Sequence, residues 1–331
     1  MTFTFKFCMV LPFFKYKYEK EVNMEQVMTK ERNKFSIWIQ AVRAFSFTAS
    51  SVPVLLGAAL ALHYPGKVMW ILLPVVYIAG LLIHAATNLI NDYFDYKKGV
   101  DKDYTFGSSG VILQELLPAK QILIGGFILF GITAALGVIL VAVRGVPILI
   151  LGLIGLIGGY LYTGYPWGYK YYGLGDFLVF ILMGPLMVIG SYYSLTGTYH
   201  HSILLISLPV GFLVAAILQS NNTRDIKHDK EAGVKTLENI LGHKAAKVVY
   251  YFLVSAAYLS VVVMVAYKIL PIWSLGVILT LPLAIKNIKK VSKSHPDKPE
   301  EIATIDVETA QLHFGFGLLL IISIVVFHFF Q

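Results

Sequence analysis

The chain has 331 residues, of which 57% are hydrophobic and only 14% charged, and its net charge is +8. A soluble domain carries about 25% charged residues, so a water-facing globule, a disordered chain and a nucleic-acid-binding domain are all excluded. The one cysteine, Cys8, rules out an internal disulfide framework and a cysteine-rich zinc site.

Residues 1–37 are aromatic and basic. The apolar run from Phe7 to Phe14 is broken by Pro12 and followed by Lys15 and Lys17. It is too short to cross a bilayer, and no small-residue cleavage site follows it. We read this segment as a cytosolic or surface-lying tail ahead of one intramembrane domain, 38–331. Nine stretches then have the length and apolarity of a span, which takes about 20 residues. They run near 38–62, 68–94, 121–143, 146–164, 174–196, 203–222, 246–267, 270–286 and 311–330. The expected fold is therefore all-α, a polytopic bundle of nine transmembrane helices. Gly152, Gly155, Gly158 and Gly159 mark a face where another helix can approach closely.

Positive charge orients the bundle. With the N-terminus in the cytoplasm, the loops on the opposite side hold only Lys67, Arg144 and Lys268. This predicts a multi-pass protein of the cell membrane with its C-terminus, Gln331, outside.

Two stretches break the apolar pattern, both on the predicted cytoplasmic side. The first runs from Asn88 through Asn91, Asp92 and Asp95 to Asp101. The second runs from Asn221 through Arg224 and Asp225 to Asp229. Residues four apart share a helix face, so Asn91 lines up with Asp95, and Asn221 with Asp225 and Asp229. Asn88, Asp92 and Asp95 form a competing stripe on the first helix. Asp101 lies beyond Gly99 and needs a bend there to join the cluster. Crowded carboxylates repel unless a cation joins them. Mg²⁺ takes oxygen ligands and typically binds one or two carboxylates plus substrate phosphates. Lys97, Lys98, Arg224, Lys227, Lys230 and Lys235 stand beside the acids. Acid, amide and base together point to a metal-bridged phosphate or diphosphate at the membrane boundary, where ionisable residues are functional by default. No P-loop or glycine-rich nucleotide fingerprint is present.

These residues resemble the signatures of the UbiA superfamily of intramembrane prenyltransferases, two Asn-x-x-x-Asp-x-x-x-Asp motifs on the second and sixth of nine helices. Asn221, Asp225 and Asp229 fit the pattern. Asn91 and Asp95 fit it too, but the next acid is at Asp101 instead of at Gly99, a shift similar to the menaquinone branch. Also similar to that branch are Tyr162-Thr163-Gly164, Gly173-Leu174-Gly175-Asp176, and the Gly233, Lys235, Thr236, Leu237 set that follows Asp229. The basic segment that the family carries after its first motif is here only Gly107-Ser108-Ser109-Gly110.

The resemblance implies Mg²⁺ held by Asn91, Asp95, Asp101, Asn221, Asp225 and Asp229. It implies a polyprenyl diphosphate donor and an aromatic acceptor, with 1,4-dihydroxy-2-naphthoate favoured by the branch. Asp95, Asp225 and Lys170 are expected at the chemistry, and Arg43, Asn88, Asp92, Arg224, Lys235 and Tyr162 at the substrates. Arg43 sits inside the first predicted span, where snorkelling to the interface competes with an anion contact. The tyrosines around Tyr162 and Tyr169 read either as an interfacial belt or as a cation-stabilising wall. His84 reads as a satisfied interior histidine, Gln219 as an interhelical hydrogen-bonder, and His228 as pointing away from the acidic stripe. Two other readings compete: a sister prenyltransferase with another quinone, haem or lipid acceptor, and a carboxylate-coupled transporter. The transporter reading lacks midplane acids and a broken helix pair.

Overall fold

Hydrocarbon offers no partner to a backbone N–H or C=O, so continuous apolar sequence has to close its hydrogen bonds within helices. The computed structural model describes residues 33–102 and 105–330, and there the chain is helical with no strand. Most of the 1–37 tail lies outside the described residues. Its last positions belong to helix α1, Lys34–Ala41.

The remaining helices follow the apolar pattern. They are α2 (Thr48–Ala61), α3 (Leu73–Lys97), α4 (Ala119–Arg144), α5 (Val146–Tyr160), α6 (Gly175–Ile181), α7 (Met187–Thr196) and α8 (His201–Glu231). After these come α9 (Leu237–Leu241), α10 (His243–Ala266), α11 (Leu281–Lys293) and α12 (Ile305–Phe329). The helices α6 and α7 form one span through the wider turn Leu182–Leu186, which contains Pro185. A tight 3₁₀ stretch, Ile272–Thr280, completes the span of α11. Among the described residues, eight segments are long and apolar enough to cross a membrane. The ninth predicted span is α5, shorter at 15 residues. The chain is a multi-pass membrane protein.

Two spans differ from the sequence expectation, each for a local reason. The first does not run unbroken from 38. Arg43 adopts a left-handed φ of 54° and ends the α1 segment, and a 3₁₀ turn, Ala44–Phe47, leads into α2. Arg43 thus sits at a break in the chain, not on a continuous helix. The sixth span continues past 222 to Glu231, so the whole second acidic motif is helical.

The buried core joins α2, α7, α8, α10 and α12, with Leu56, Leu195, Leu213, Tyr250 and Phe316 at or near full burial. Ile128, Val138, Leu153 and Phe252 stay exposed on the outer surface, where lipid solvates them. The glycine face of α5 is used in part. A Cβ on Gly158 would meet Leu182 at 2.7 Å and one on Gly159 would meet Thr87 at 2.7 Å, whereas Gly152 faces open space.

Candidate active site

The two acidic helices α3 and α8 end in the same way. Gly99 and Gly233 both take left-handed φ, of 71° and 74°. In each case the next N–H reaches back to an aspartate carbonyl, Val100 to Asp95 at 2.9 Å and Val234 to Asp229 at 2.8 Å. This is the glycine C-terminal motif that satisfies the last carbonyls of a helix. In α3 it also turns the chain, and Asp101 joins the other acids, as the Gly99 bend requires.

The ends of α3 and α8 face one cleft. Asp95, Asp101, Lys170, Asn221, Asp225 and Asp229 line it. Thr105, Gly107 and His228 also line it, and none of these three was expected from the sequence. His228 lies three residues after Asp225, close enough on a helix to share its face. Gly107 marks a close crossing. A Cβ there would sit 3.2 Å from Asp225 Oδ2, so the loop after the first motif passes directly against the second.

Asp95 is the most heavily held acid on the α3 side. It accepts from Asn91 Nδ2, from Lys170 Nζ and from the Tyr171 hydroxyl, the last at 2.7 Å. Lys170 and Tyr171 come from a 3₁₀ turn, Tyr169–Tyr171, folded back on the end of α5 by Lys170 N–H to Tyr162 O at 2.9 Å. Burial opposes the Lys170 ammonium, yet Asp95 beside it overrides this and holds its pKa above the ordinary lysine value. Burial, with Asp95 and Asp92 nearby, pushes the Asp101 carboxyl up to about 8. The sequence places Tyr171 in the aromatic cluster but gives no sign of its contact with Asp95, which spans 76 residues.

The competing stripe on α3 is used separately. Asp92 pairs with Arg43 and accepts from Ser109 N–H at 3.4 Å. Asn88 does not reach the cleft. Its amide donates to Val42 O at 2.9 Å and to Ser46 Oγ at 3.3 Å, steadying the break at Arg43. His84 is held between Ser46 and Ser50 at 3.2 and 3.1 Å, a satisfied interior histidine.

On the α8 side, Arg224 donates to both oxygens of Asp225, at 2.9 and 2.8 Å, and to Asn221 Oδ1. Its remaining nitrogen reaches Ala303 O at 3.1 Å and Asp306 at 3.0 Å, and Phe106 lies 5.4 Å over the guanidinium. Asp176 accepts from Asn222 at 3.5 Å, behind the same helix end. Gln219 bonds across to Ala246 O at 3.0 Å, as an interhelical contact. The Lys235 side chain is exposed, and its backbone pairs with that of Tyr172. Tyr162 stands 5.9 Å from Lys170 Nζ and packs edge-on against Tyr169.

The donor set suits a hard divalent cation. Carboxylate and amide oxygens occupy both walls, with cations of the chain among them. It is not a closed cage, because among the described residues no three carboxylates or imidazoles converge as a ready-made metal site. Mg²⁺ needs no such cage when substrate phosphates complete its shell.

Residues 50–327 match the model of the UbiA prenyltransferase family. The chain belongs to this family. As a UbiA family member it is a prenyltransferase enzyme. It is 36% identical to a 1,4-dihydroxy-2-naphthoate octaprenyltransferase of Bacillus subtilis over 88% of this chain and 93% of that protein. It is 31% identical to the human UbiA prenyltransferase domain-containing protein 1 over 89% of this chain and 85% of that one. Its fold is that of a UbiA homolog from Archaeoglobus fulgidus, solved bound to GPP and Mg²⁺. The TM-score is 0.57 with 14% identity, covering 86% of this chain and 99% of that one.

Proposed function

We propose that this enzyme transfers a polyprenyl group from polyprenyl diphosphate to 1,4-dihydroxy-2-naphthoate, with decarboxylation, in menaquinone biosynthesis. The observation that carries the reading is the cleft itself, which gathers carboxylates from two helix ends beside the Lys170 ammonium, a donor set suited to a metal-bound diphosphate. The acceptor follows the octaprenyltransferase relative.

Asn91, Asp95, Asp101, Asn221, Asp225 and Asp229 would hold Mg²⁺, which supplies positive charge to the leaving diphosphate. Lys170 adds a fixed ammonium aimed at the same charge, a preorganised electrostatic contribution. The C1–O bond breaks and its electron pair leaves with the diphosphate. The acceptor ring carbon then forms a bond to C1, and its carboxyl group departs as CO₂, returning the electron pair to the ring. Tyr162, beside Lys170, is the candidate aromatic face for the allylic cation. Arg43, in its pair with Asp92, is the candidate contact for the acceptor carboxylate. The apolar bundle excludes water that would quench the cation, and the prenyl tail lies in the bilayer.

The charge distribution supports a cell-membrane enzyme with its N-terminus and active site in the cytoplasm, a short N-terminal tail and one intramembrane domain. A reporter fused after Gln331 is expected to read outside, and a cytoplasmic signal would overturn that topology.

The deciding test uses membranes with Mg²⁺, a polyprenyl diphosphate and four acceptors: 1,4-dihydroxy-2-naphthoate, 4-hydroxybenzoate, homogentisate and haem B. Prenylated naphthoquinol with CO₂ release, lost in EDTA and restored by Mg²⁺, is the expected result. Product from another acceptor moves the enzyme to a sister branch. Full activity in chelator contradicts the metal reading.

A further inference from the structure

Among the described residues Arg224 is the largest fully buried side chain, only 2% exposed, and its charge faces two carboxylates. One is Asp225, a wall of the cleft. The other is Asp306, in the first turn of α12, whose Oδ2 lies 3.0 Å from Arg224 Nη1. The orientation of Asp306 is fixed, because its Oδ1 accepts from the Val307 N–H at 2.9 Å. The positive end of the α12 dipole favours a carboxylate at this position. Ala303 O, at 3.1 Å, holds the same guanidinium nitrogen from the turn before α12.

We propose that Asp306 is a positioning residue for the second acidic motif: by sharing the charge of Arg224 it leaves Asp225 and Asn221 available to a divalent cation. This rests on the reading that the cleft takes Mg²⁺ and a diphosphate. The reasoning is electrostatic. A buried guanidinium with one counter-charge binds that carboxylate with its whole charge and competes with any metal for it. With a second carboxylate fixed on another helix, the guanidinium stays compensated when Asp225 turns to a cation, and no uncompensated charge is left in the interior. Removing Asp306 acts twice in the same direction. It concentrates Arg224 on Asp225, and it takes one negative charge from the rim of the site. Outer partners of metal ligands act in this way, and their loss typically costs roughly 10–100-fold in metal affinity.

A control is built into the same face. Asp297 pairs with Lys227 of α8 at 2.8 Å, but both are exposed, and neither touches Arg224. Surface pairs of this kind contribute little.

The experiment is a titration of the full chain, purified in detergent, with Mn²⁺ followed by electron paramagnetic resonance. Asp306→Asn and Asp306→Ser are both examined, so that one folded, monodisperse neutral variant suffices. We expect Mn²⁺ affinity to fall about tenfold in these variants, to stay near wild type in Asp306→Glu, and to be unchanged in Asp297→Asn. In turnover, the Mg²⁺ concentration for half-maximal rate rises by the same factor while the acceptor KM holds. Unchanged Mn²⁺ affinity in a folded neutral variant overturns the proposal, as does an equal loss in Asp297→Asn or in Asp306→Glu. A wild type that prenylates no acceptor would instead defeat the proposed function, and the Mn²⁺ comparison would still read the role of Asp306.

Discussion

The ends of α3 and α8 present the same chemistry and hold it by opposite means. Both helices stop at a left-handed glycine four residues after an aspartate, and both offer carboxylates to one cleft. On α8 the cation that holds the Asn-x-x-x-Asp ladder is Arg224, next in sequence to Asp225, and it is fully buried. On α3 the cations come from elsewhere, Arg43 to Asp92 across 49 residues and Lys170 to Asp95 across 75. One half of the site is thus fixed within a helix and braced by the core. The other half is assembled from loops.

If the two ends are halves of one site, losing either acid should be equally severe. Asp95→Ala and Asp225→Ala are each expected to lower the rate by about 10³-fold while the protein remains folded. A near-normal rate in either variant would break the symmetry of the two ends. The cations should separate them. Lys170→Met is expected to cost about 10²-fold in rate with little loss of stability, because Asp95 keeps Tyr171 and Asn91 as donors. Arg224→Met strands the buried carboxylate of Asp225 and that of Asp306, and is expected to cost about 3–5 kcal/mol of stability. Thermal unfolding in detergent, read beside turnover, distinguishes the two. A smaller effect is expected of Tyr171→Phe, which removes one hydrogen bond to a charged group, a contact that contributes about 1.5–3 kcal/mol. Its effect should fall on catalysis through Asp95 and appear as a lowered rate at saturating donor.

The same contrast explains what the sequence makes legible. The apolar runs locate the eight spans and the shorter α5, because length and hydropathy act locally. The α8 ladder is readable for the same reason, since Asn221, Arg224, Asp225 and Asp229 sit on one helix. The stripe on α3 stays ambiguous from sequence because both readings are used, Asp95 in the cleft with Asn91 donating to it, and Asp92 on Arg43. Tyr171, Thr105 and Gly107 reach the site through tertiary folding of loops, which carries no periodic signal. The break at Arg43 is also silent in sequence. No glycine or proline marks it, and its left-handed φ is stabilised by Ser46, whose N–H and hydroxyl both donate to Arg43 O at 2.8 Å. Lys235 shows the converse difference. Its place in the motif run looks functional, yet its side chain faces solvent.

The subtlest difference lies in the two glycines. A Cβ on either Gly99 or Gly233 meets nothing within 4 Å, so only the backbone opposes alanine there. Left-handed φ costs an L-residue about 1–2 kcal/mol, and both Gly99→Ala and Gly233→Ala should lose stability in that range. Their effects on turnover should differ. After Gly233 the chain runs to Val234, which packs with Val100 and Tyr171, and to the exposed Lys235. After Gly99 it runs within two residues to Asp101, a wall of the cleft. Relaxing the turn at Gly99 therefore swings a carboxylate out of the site, and Gly99→Ala should also raise the Mg²⁺ requirement several-fold, which Gly233→Ala should not. Equal Mg²⁺ dependence in the two variants would mean that Asp101 does not serve the metal, and that the α3 end works with Asn91 and Asp95 alone.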